Sequence, residues 1–484
     1  MDKVKEWWQS YIFRGSPSFV IAKKLQALKH DLKLWNKESL GDVSVKKNAA
    51  WEKLKYWDNL ESLGSLSEED RRSQGAARDE FNHCAILEEI SWRQKSRALW
   101  LKEGDSNTKF FHRMANARRR GNFISSLTVR GIRLSKEEEL KEGIGSYFKS
   151  MFEDPIVRRP EVESGLFNTL DSLDNDILER QFSNEEVLRA LSDLGGDKAP
   201  GPNGFTLAFW KTCWPVVRGE VMQVFEELHS QNVMFRSHNA TFLVLIPKKE
   251  GASDVQDYRP ISLVGSLYKI IAKVLANRLK GVMGKLVSNS QNAFVEGRQI
   301  LDAVLVANEA IDSRKRSVGT GLVCKLDIEK AYDHVNWRFL MSVLEKMGFG
   351  PKWRKWIFCC ISTMRMAVLV NGTPTDFFST FRGLRQGDPL SPYLFVLIME
   401  ALSSLISRAE ENGFIRGFKA TGRRGERVSV SHLLFADDTL LFCEDDRDQL
   451  IFWKWVVICF EVVSGLKINL QKRDRKSTRL NSSH

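Results

Sequence analysis

Residues 432–442 read HLLFADDTLLF, with two adjacent acids set inside an apolar run. Burying an unpartnered carboxylate costs several kcal/mol or more. A hairpin reconciles the acids with their flanks. The apolar flanks form two strands, and a turn at Ala436–Asp437–Asp438 presents both carboxylates at one sheet edge. A second apolar run, GLVCKLD at 321–327, reads as a buried strand ending in Asp327. If the two strands are neighbours, three carboxylates converge, and like charges so close raise one another's pKa. Divalent cations remove that conflict. Oxygen-only ligation favours Mg²⁺, which binds few carboxylates together with substrate phosphates. Two such ions activate an attacking hydroxyl and stabilise a leaving phosphate. A lone Asp–Asp pair is usually a solvated turn; the apolar flanks and the third strand-end acid argue against that here.

The elements that must position these acids are mixed. TFLVLIP (241–247) and DYRPISL (257–263) read as extended, and YKIIAKVLANRLKGVM (268–283) as a helix. MAVLVNGTPTDFFSTF (366–381) reads as a hairpin turning at Asn371–Gly372. SPYLFVLIMEALSSLI (391–406) is apolar nearly all round, hence a buried helix, with Ser391 as cap and Pro392 at its first position. Ser183 and Glu186 predict a capping box on a helix stopping at Gly195–Gly196. In the loop DKAPGPNGF (197–205), glycines and prolines fix a tight path and let backbone approach a ligand. Strands and helices alternate without βαβ regularity, which predicts an α+β fold. The first 150 residues read as mainly helical. Ile21, Leu25, Leu28, Leu32 and Trp35 make an amphipathic stripe that needs no chemistry.

The chain has 484 residues and a net charge of +12, which suggests a polyanionic partner. The excess is concentrated. Residues 93–133 hold eleven Lys/Arg against Glu103 and Asp105. There, Lys109, Arg113, Arg118, Arg119 and Arg120 lie among Phe110 and Phe111, behind a helix cap at Asp105 or Ser106. Basic residues interleaved with aromatics suit a nucleic-acid backbone with base stacking. The seven cysteines form no CxxC pair and no zinc-type spacing; Cys359 and Cys360 read as buried thiols. The start, MDKVKEWWQS, lacks the apolar stretch of a signal peptide. No run of about 18 uninterrupted apolar residues occurs. The expectation is an intracellular protein with no membrane partner.

FADD at 435–438 resembles the catalytic hairpin of reverse transcriptases, specifically those of plant-type non-LTR (LINE-type) retrotransposons. IPKKE (246–250), DYRPISL, QNAFVEGRQILDAVLVANE (291–309), KLDIEKAYDHVNW (325–337), RGLRQGDPLSP (382–392) and SGLKIN (464–469) resemble that family's ordered blocks. KAPGPNGF resembles the block before them, with Asn203 where Asp is common. WLKEGDSNTKFFH (100–112) resembles the segment joining the family's endonuclease to its polymerase. The resemblance covers roughly residues 15–473.

It implies a right-hand polymerase: a basic, mainly helical N-terminal extension over 1–175, fingers over 176–320 and palm over 321–473, with the thumb missing. Asp327, Asp437 and Asp438 would hold two Mg²⁺ ions (Mn²⁺ the alternative), with the Ile328 carbonyl as a further ligand, and Asp333 would be structural. Tyr332 matches the position under the incoming sugar, where a ring excludes a 2′-hydroxyl. Lys248, Lys249 and Arg259 resemble residues that clamp the triphosphate, and Gln386 with Gly387 the strip contacting nucleotide and template. Lys467 or Lys472 would protonate the leaving pyrophosphate. The partners implied are an RNA template, a DNA primer or target and dNTPs, in the cytoplasm with a nuclear site of action. Endonuclease and thumb regions are expected in the full-length polyprotein. Residues 474–484, DRKSTRLNSSH, match nothing in the family and resemble a translated sequencing-library adapter, a scar with no partner in the fold. The expectation is a truncated reverse transcriptase core, weak or inactive as it stands. A silent RNA-binding relic and an intron maturase-like protein are the alternatives.

Overall fold

The computed structural model describes all residues except 42, 65, 97–115, 117–120, 155–156, 162–164, 235, 317–320, 422–426, 469–474 and 478–484. The cap at Asp105 or Ser106 and the basic–aromatic segment with Lys109, Arg113 and Arg118 to Arg120 lie outside the described residues. The chain divides into two compact units. One comprises Asp2–Ile12 and Lys23–Ser125; the other comprises Phe13–Ala22 and Ser126–His484, with Met1.

The smaller unit is helical: α1 (Asp2–Ser10), most of α2 (Pro17–Trp35), α3 (Val43–Leu63) and α4 (Glu68–Ser96). Along α2, Ile21, Leu25 and Leu28 of the predicted stripe are buried, and Leu32 and Trp35 half-buried. Helices α3 and α4 meet through Trp51 and Phe81, ring centroids 5.3 Å apart, and through a Lys47–Glu88 ion pair at 2.6 Å.

The larger unit takes in residues 126–175, which the sequence reading gave to the extension. The reason is backbone bonding. The hairpin of β1 (Leu127–Val129) and β2 (Ile132–Leu134) is tied in where the Thr128 amide donates to the Ser253 carbonyl at 2.8 Å. After α5 (Glu137–Met151), the Phe152 carbonyl accepts from Phe381 at 2.9 Å. The Phe13–Ala22 segment is held likewise: the amide of Ser18 donates to buried Glu227 at 2.8 Å and its hydroxyl at 2.5 Å.

The remaining helices are α6 (Ser172–Glu179), α7 (Asn184–Asp193), α8 (Leu207–Gln231), α9 (Ser266–Leu286), α10 (Ile300–Arg316), α11 (Trp337–Lys346), α12 (Pro351–Ser362), α13 (Ser391–Glu411) and α14 (Arg447–Ser464). The strands are β3 (Ala240–Pro247), β4 (Tyr258–Val264), β5 (Gly321–Leu326), β6 (Arg365–Val370), β7 (Thr373–Pro374), β8 (Phe378–Ser379), β9 (Phe418–Thr421), β10 (Arg427–Val430), β11 (His432–Phe435), β12 (Asp438–Glu444) and β13 (Arg475–Ser477). A five-stranded sheet runs β4-β3-β6-β7, with β8 also on β6; β3 and β6 are parallel, and the other pairs antiparallel. It draws strands from both sides of residue 320. The second sheet runs β11-β12-β5-β13. Over it, Ala307 and Ala310 of α10 pack with Phe418, Val430, Leu433 and Phe442; the two small residues let the helix approach closely.

Local chemistry departs from expectation at four places. Ser183 does cap α7, accepting from Glu186 at 3.2 Å, but the reciprocal half of the box is missing. The Glu186 carboxylate instead grips buried Arg278 with two bonds at 2.7 and 2.8 Å, a stronger charge-assisted pairing. Helix α13 begins at Ser391 itself, with Leu390 at the cap position and no side-chain cap; Asp388 accepts from the Leu390 amide at 3.0 Å. A Cβ on Gly201 would lie 2.6 Å from the Val264 carbonyl, so this glycine lets the loop pack against protein backbone. Finally, Arg475–Ser477 of the supposed partnerless tail pair antiparallel with β5. An open sheet edge accepts any extended segment through its backbone groups, whatever its origin.

Cys359 and Cys360 are buried, as expected, and burial pushes both thiols up. Helix α13 is long and apolar enough to cross a membrane, but 61% of that stretch is buried inside the protein, as in a core helix.

Candidate active site

The hairpin of β11 and β12 turns over two residues, with Phe435 paired to Asp438. Ala436 has φ +56°, a conformation that L-residues with a Cβ rarely adopt. Asp437 is therefore in the turn and Asp438 opens the return strand. Strand β12 pairs with β5 on its other side, Thr439 opposite Leu326. That register carries Asp327, the next residue, alongside Asp438.

A cation stands among the acids. The Lys325 ammonium lies 2.7 Å from Asp438 Oδ1. Its pKa is raised by that bond first, and by the charges of Asp438, Asp327 and Asp437. The Asp437 carboxyl is pushed up, mainly by burial, then by Asp438 and Asp327. Three carboxylates thus share one field, as the sequence predicts. Among the described residues, no three acidic, histidine or cysteine side chains form a ready-made metal cage. A hard cation that keeps water and substrate phosphates needs only a few protein carboxylates, so this donor set fits Mg²⁺.

Of the other predicted residues, Tyr332 lies in the field of Asp437. The Tyr332 ring stacks on Phe395, centroids 4.6 Å apart and 17° from parallel; burial and the nearby Asp437 charge push its hydroxyl up. Asp333 is buried and pushed up to about 7 by desolvation, with Lys330 and Lys248 pulling the other way. The Gln386 amide donates to both its oxygens at 3.3 and 3.4 Å, so Asp333 orients Gln386. The Gln386 carbonyl accepts from Ser262 of β4 at 2.9 Å. Gly387 is exposed at φ +101°, and a Cβ there would stand 3.2 Å from the Ser262 carbonyl. The strip is thus laid along β4, where Arg259 is exposed opposite Ile246.

The two lysines are already engaged. Lys248 donates to the Gln256 carbonyl at 2.7 Å, and Lys249 pairs with Asp257 at 2.9 Å. Ile328 bridges to Ile468, and the Lys467 carbonyl accepts from Glu329 at 2.8 Å. That brings Lys467, itself exposed, within two residues of Asp327's strand end; Lys472 lies outside the described residues.

Sequence reasoning missed two supports. Arg385 and Asp388 form a buried ion pair at 3.0 Å; Tyr268 donates to Asp388 at 3.0 Å and its ring lies 3.9 Å from the Arg385 guanidinium. This network fixes the loop that carries Gln386. The second support, Gln291, holds the acid turn. Arg385, Asp388 and Gln291 stood inside blocks read for their resemblance, and none has a local pattern that announces a tertiary partner.

An α+β domain with a carboxylate hairpin at the edge of one sheet and a cation-bearing strip along another is of the polymerase type. Residues 246–479 match the family described as reverse transcriptase (RNA-dependent DNA polymerase). The chain is 27% identical over 431 residues to the transposon TX1 uncharacterized 149 kDa protein of Xenopus laevis, covering 86% of this chain and 32% of that one. It is 28% identical over 266 residues to the retrovirus-related Pol polyprotein from the type-1 retrotransposable element R2 of Nasonia vitripennis, covering 55% and 24%. Against that from the type-2 element R2DM of Drosophila melanogaster, it is 27% identical over 298 residues, covering 61% and 26%. Residues 246–479 thus match a reverse transcriptase domain, these relatives are named as proteins of transposons and retrotransposable elements, and the chain spans about a third or less of their length.

Proposed function

We propose that this chain is an RNA-directed DNA polymerase core of a LINE-type element, copying element RNA by two-metal nucleotidyl transfer. The observation that carries the reading is the register of β5 on β12, with Asp327, Asp437 and Asp438 around the Lys325 ammonium. Asp327, Asp437 and Asp438, with the Ile328 carbonyl, would hold Mg²⁺ or Mn²⁺. Such ions lower the pKa of the attacking hydroxyl and stabilise the leaving phosphate.

The chain's own residues do the rest. Arg259, and Lys248 and Lys249 once exchanged from Gln256 and Asp257, donate to the triphosphate. The Tyr332 ring, backed by Phe395, closes the floor beneath the sugar and leaves no room for a 2′-hydroxyl. Gln386, oriented by Asp333, steadies the base pair. Lys467 or Lys472 carries the proton for the leaving pyrophosphate. Lys109, Arg113 and Arg118 to Arg120 bind RNA phosphates, a sequence-independent contribution that salt weakens. The RNA template, DNA primer and dNTPs are the partners, and the nucleus is the proposed site of action.

The test is primer extension on an RNA template, comparing Asp437→Asn with the unaltered chain. Loss of one ligand removes transition-state stabilisation of several kcal/mol, so extension should vanish while RNA binding stays. Retained extension would show that the carboxylate hairpin is misassigned. An unaltered chain that binds RNA yet never extends a primer would favour the silent relic.

A further inference from the structure

We propose that Gln291 is a positioning residue for the acid hairpin: its side-chain oxygen fixes the left-handed turn that aims Asp437 and Asp438. The proposal rests on the metal assignment above. Gln291 lies between α9 and α10 and is fully buried. Its Oε1 accepts from the Ala436 amide at 3.1 Å and from the Ala293 amide at 3.0 Å. The two donors flanking one atom decide which end of the amide faces them, since only the oxygen accepts.

The surrounding backbone makes this contact rigid. The Leu434 amide donates to the Ser290 carbonyl at 2.8 Å, and the Asn292 amide to the Leu434 carbonyl at 2.9 Å. Segment 290–292 thus lies as a short parallel bridge along β11. Arg298 braces that segment in turn, donating to the Gln291 carbonyl at 2.7 Å and the Val287 carbonyl at 3.2 Å.

Two observations say that the oxygen, not the bulk, is what the site uses. Gln291 Nε2 is buried with no hydrogen-bond partner. A side chain present for packing alone would be apolar and would leave no orphaned donor. Second, Ala436 holds φ +56° without the glycine or asparagine that makes such a turn easy. The conformation needs support from elsewhere, and Gln291 is bonded to the very amide that must be held. A slip of one residue in this hairpin would carry Asp437 and Asp438 to opposite faces.

Mn²⁺ titration of the full chain, followed by electron paramagnetic resonance, tests this alongside thermal melts. Gln291→Met keeps the volume and loses the acceptor, and should weaken Mn²⁺ binding about tenfold or more, as loss of an outer-shell partner does. Gln291→Glu keeps an acceptor and should stay within about threefold of the unaltered chain. Adding Ala436→Gly to Gln291→Met should recover most of the affinity, because glycine takes this φ unaided; a purely structural role gives no such rescue. Gln291→Asn, whose oxygen falls one methylene short, should behave like Gln291→Met and serves if the latter does not fold. Unchanged Mn²⁺ affinity in Gln291→Met or Gln291→Asn, or a folded double variant that is not rescued, would overturn the proposal. If the unaltered chain and Asp437→Asn bind Mn²⁺ alike, the metal assignment fails, and the proposal with it.

Discussion

The β6–β7 and β11–β12 hairpins of the larger unit each turn over two residues, and they do it by different means. Between β6 and β7, Asn371 and Gly372 take φ +51° and +88°, with Val370 paired to Thr373. These residue types adopt the left-handed region at little cost, so the turn is encoded where it occurs. Between β11 and β12, Ala436 takes φ +56°, and the support comes from Gln291, 145 residues away. The second turn must hold two carboxylates in one field with Asp327, and its strain is held by contacts that also fix the acids. A backbone strained at a functional site persists when its surroundings over-determine it.

The largest effect that separates the two turns should come from valine. A β-branched residue in the left-handed region is a severe misfit. Ala436→Val should weaken Mn²⁺ affinity by about tenfold or more, equivalent to about 1.4 kcal/mol of strain returned to the site. Asn371→Val should lower the melting temperature and leave Mn²⁺ affinity alone. Equal metal affinity in both variants would remove the distinction.

Charge separates them next. His432 on β11 is buried, and burial pushes it down to about 4; its ring nitrogens meet Ser403 Oγ at 2.7 Å and Ser431 Oγ at 3.1 Å. Between the ordinary value near 6.5 and about 4, the unfolded chain binds the proton and the folded chain does not. This residue therefore costs stability as pH falls through that window. Asp333 and Glu400, each pushed up to about 7 by burial, act with the opposite sign, because the folded chain keeps protons the unfolded chain has lost. The whole protein's pH profile mixes these contributions. The difference between the unaltered chain and His432→Gln isolates one: the variant should gain relative stability from pH 6.5 to 4, by a few kcal/mol at most. A difference that stays flat with pH would mean His432 is not held neutral.

The comparison also explains what could be read in the sequence. HLLFADDTLLF, KLD and the Asn–Gly turn were legible because the signal is local: apolar flanks, a strand-end acid, a turn pair with a steric preference. Buried Cys359 and Cys360 followed from their apolar neighbours. What was not legible depends on distant partners. Glu186 leaves the capping box for Arg278, 92 residues on. The parallel pairing of β6 on β3 joins segments that any linear division into fingers and palm keeps apart. Arg385 and Asp388 look like surface charges in RQGDP until Tyr268 closes over them. Gln291 carries no pattern at all, since one acceptor atom placed by tertiary folding leaves no periodicity.

The smallest effect is the most direct comparison of the two turns: Gly372→Ala against Ala436→Gly. At Gly372 a Cβ would meet nothing within 4 Å, so the cost is conformational alone, about 1 kcal/mol for an L-residue in the left-handed region. Metal affinity should not change. At Ala436 three contributions oppose one another. Glycine relieves a left-handed cost of about 1 kcal/mol. It also frees the unfolded chain, losing about 0.4–1 kcal/mol, and deletes a buried methyl worth about 0.8 kcal/mol. The sum is near zero or slightly unfavourable, so the melting temperature should move by about 2 °C or less in a chain of this size. Differential scanning calorimetry on the pair checks it. A large stabilisation by Ala436→Gly would mean that Gln291 leaves the turn's strain uncompensated, and the two hairpins would then differ only in residue choice.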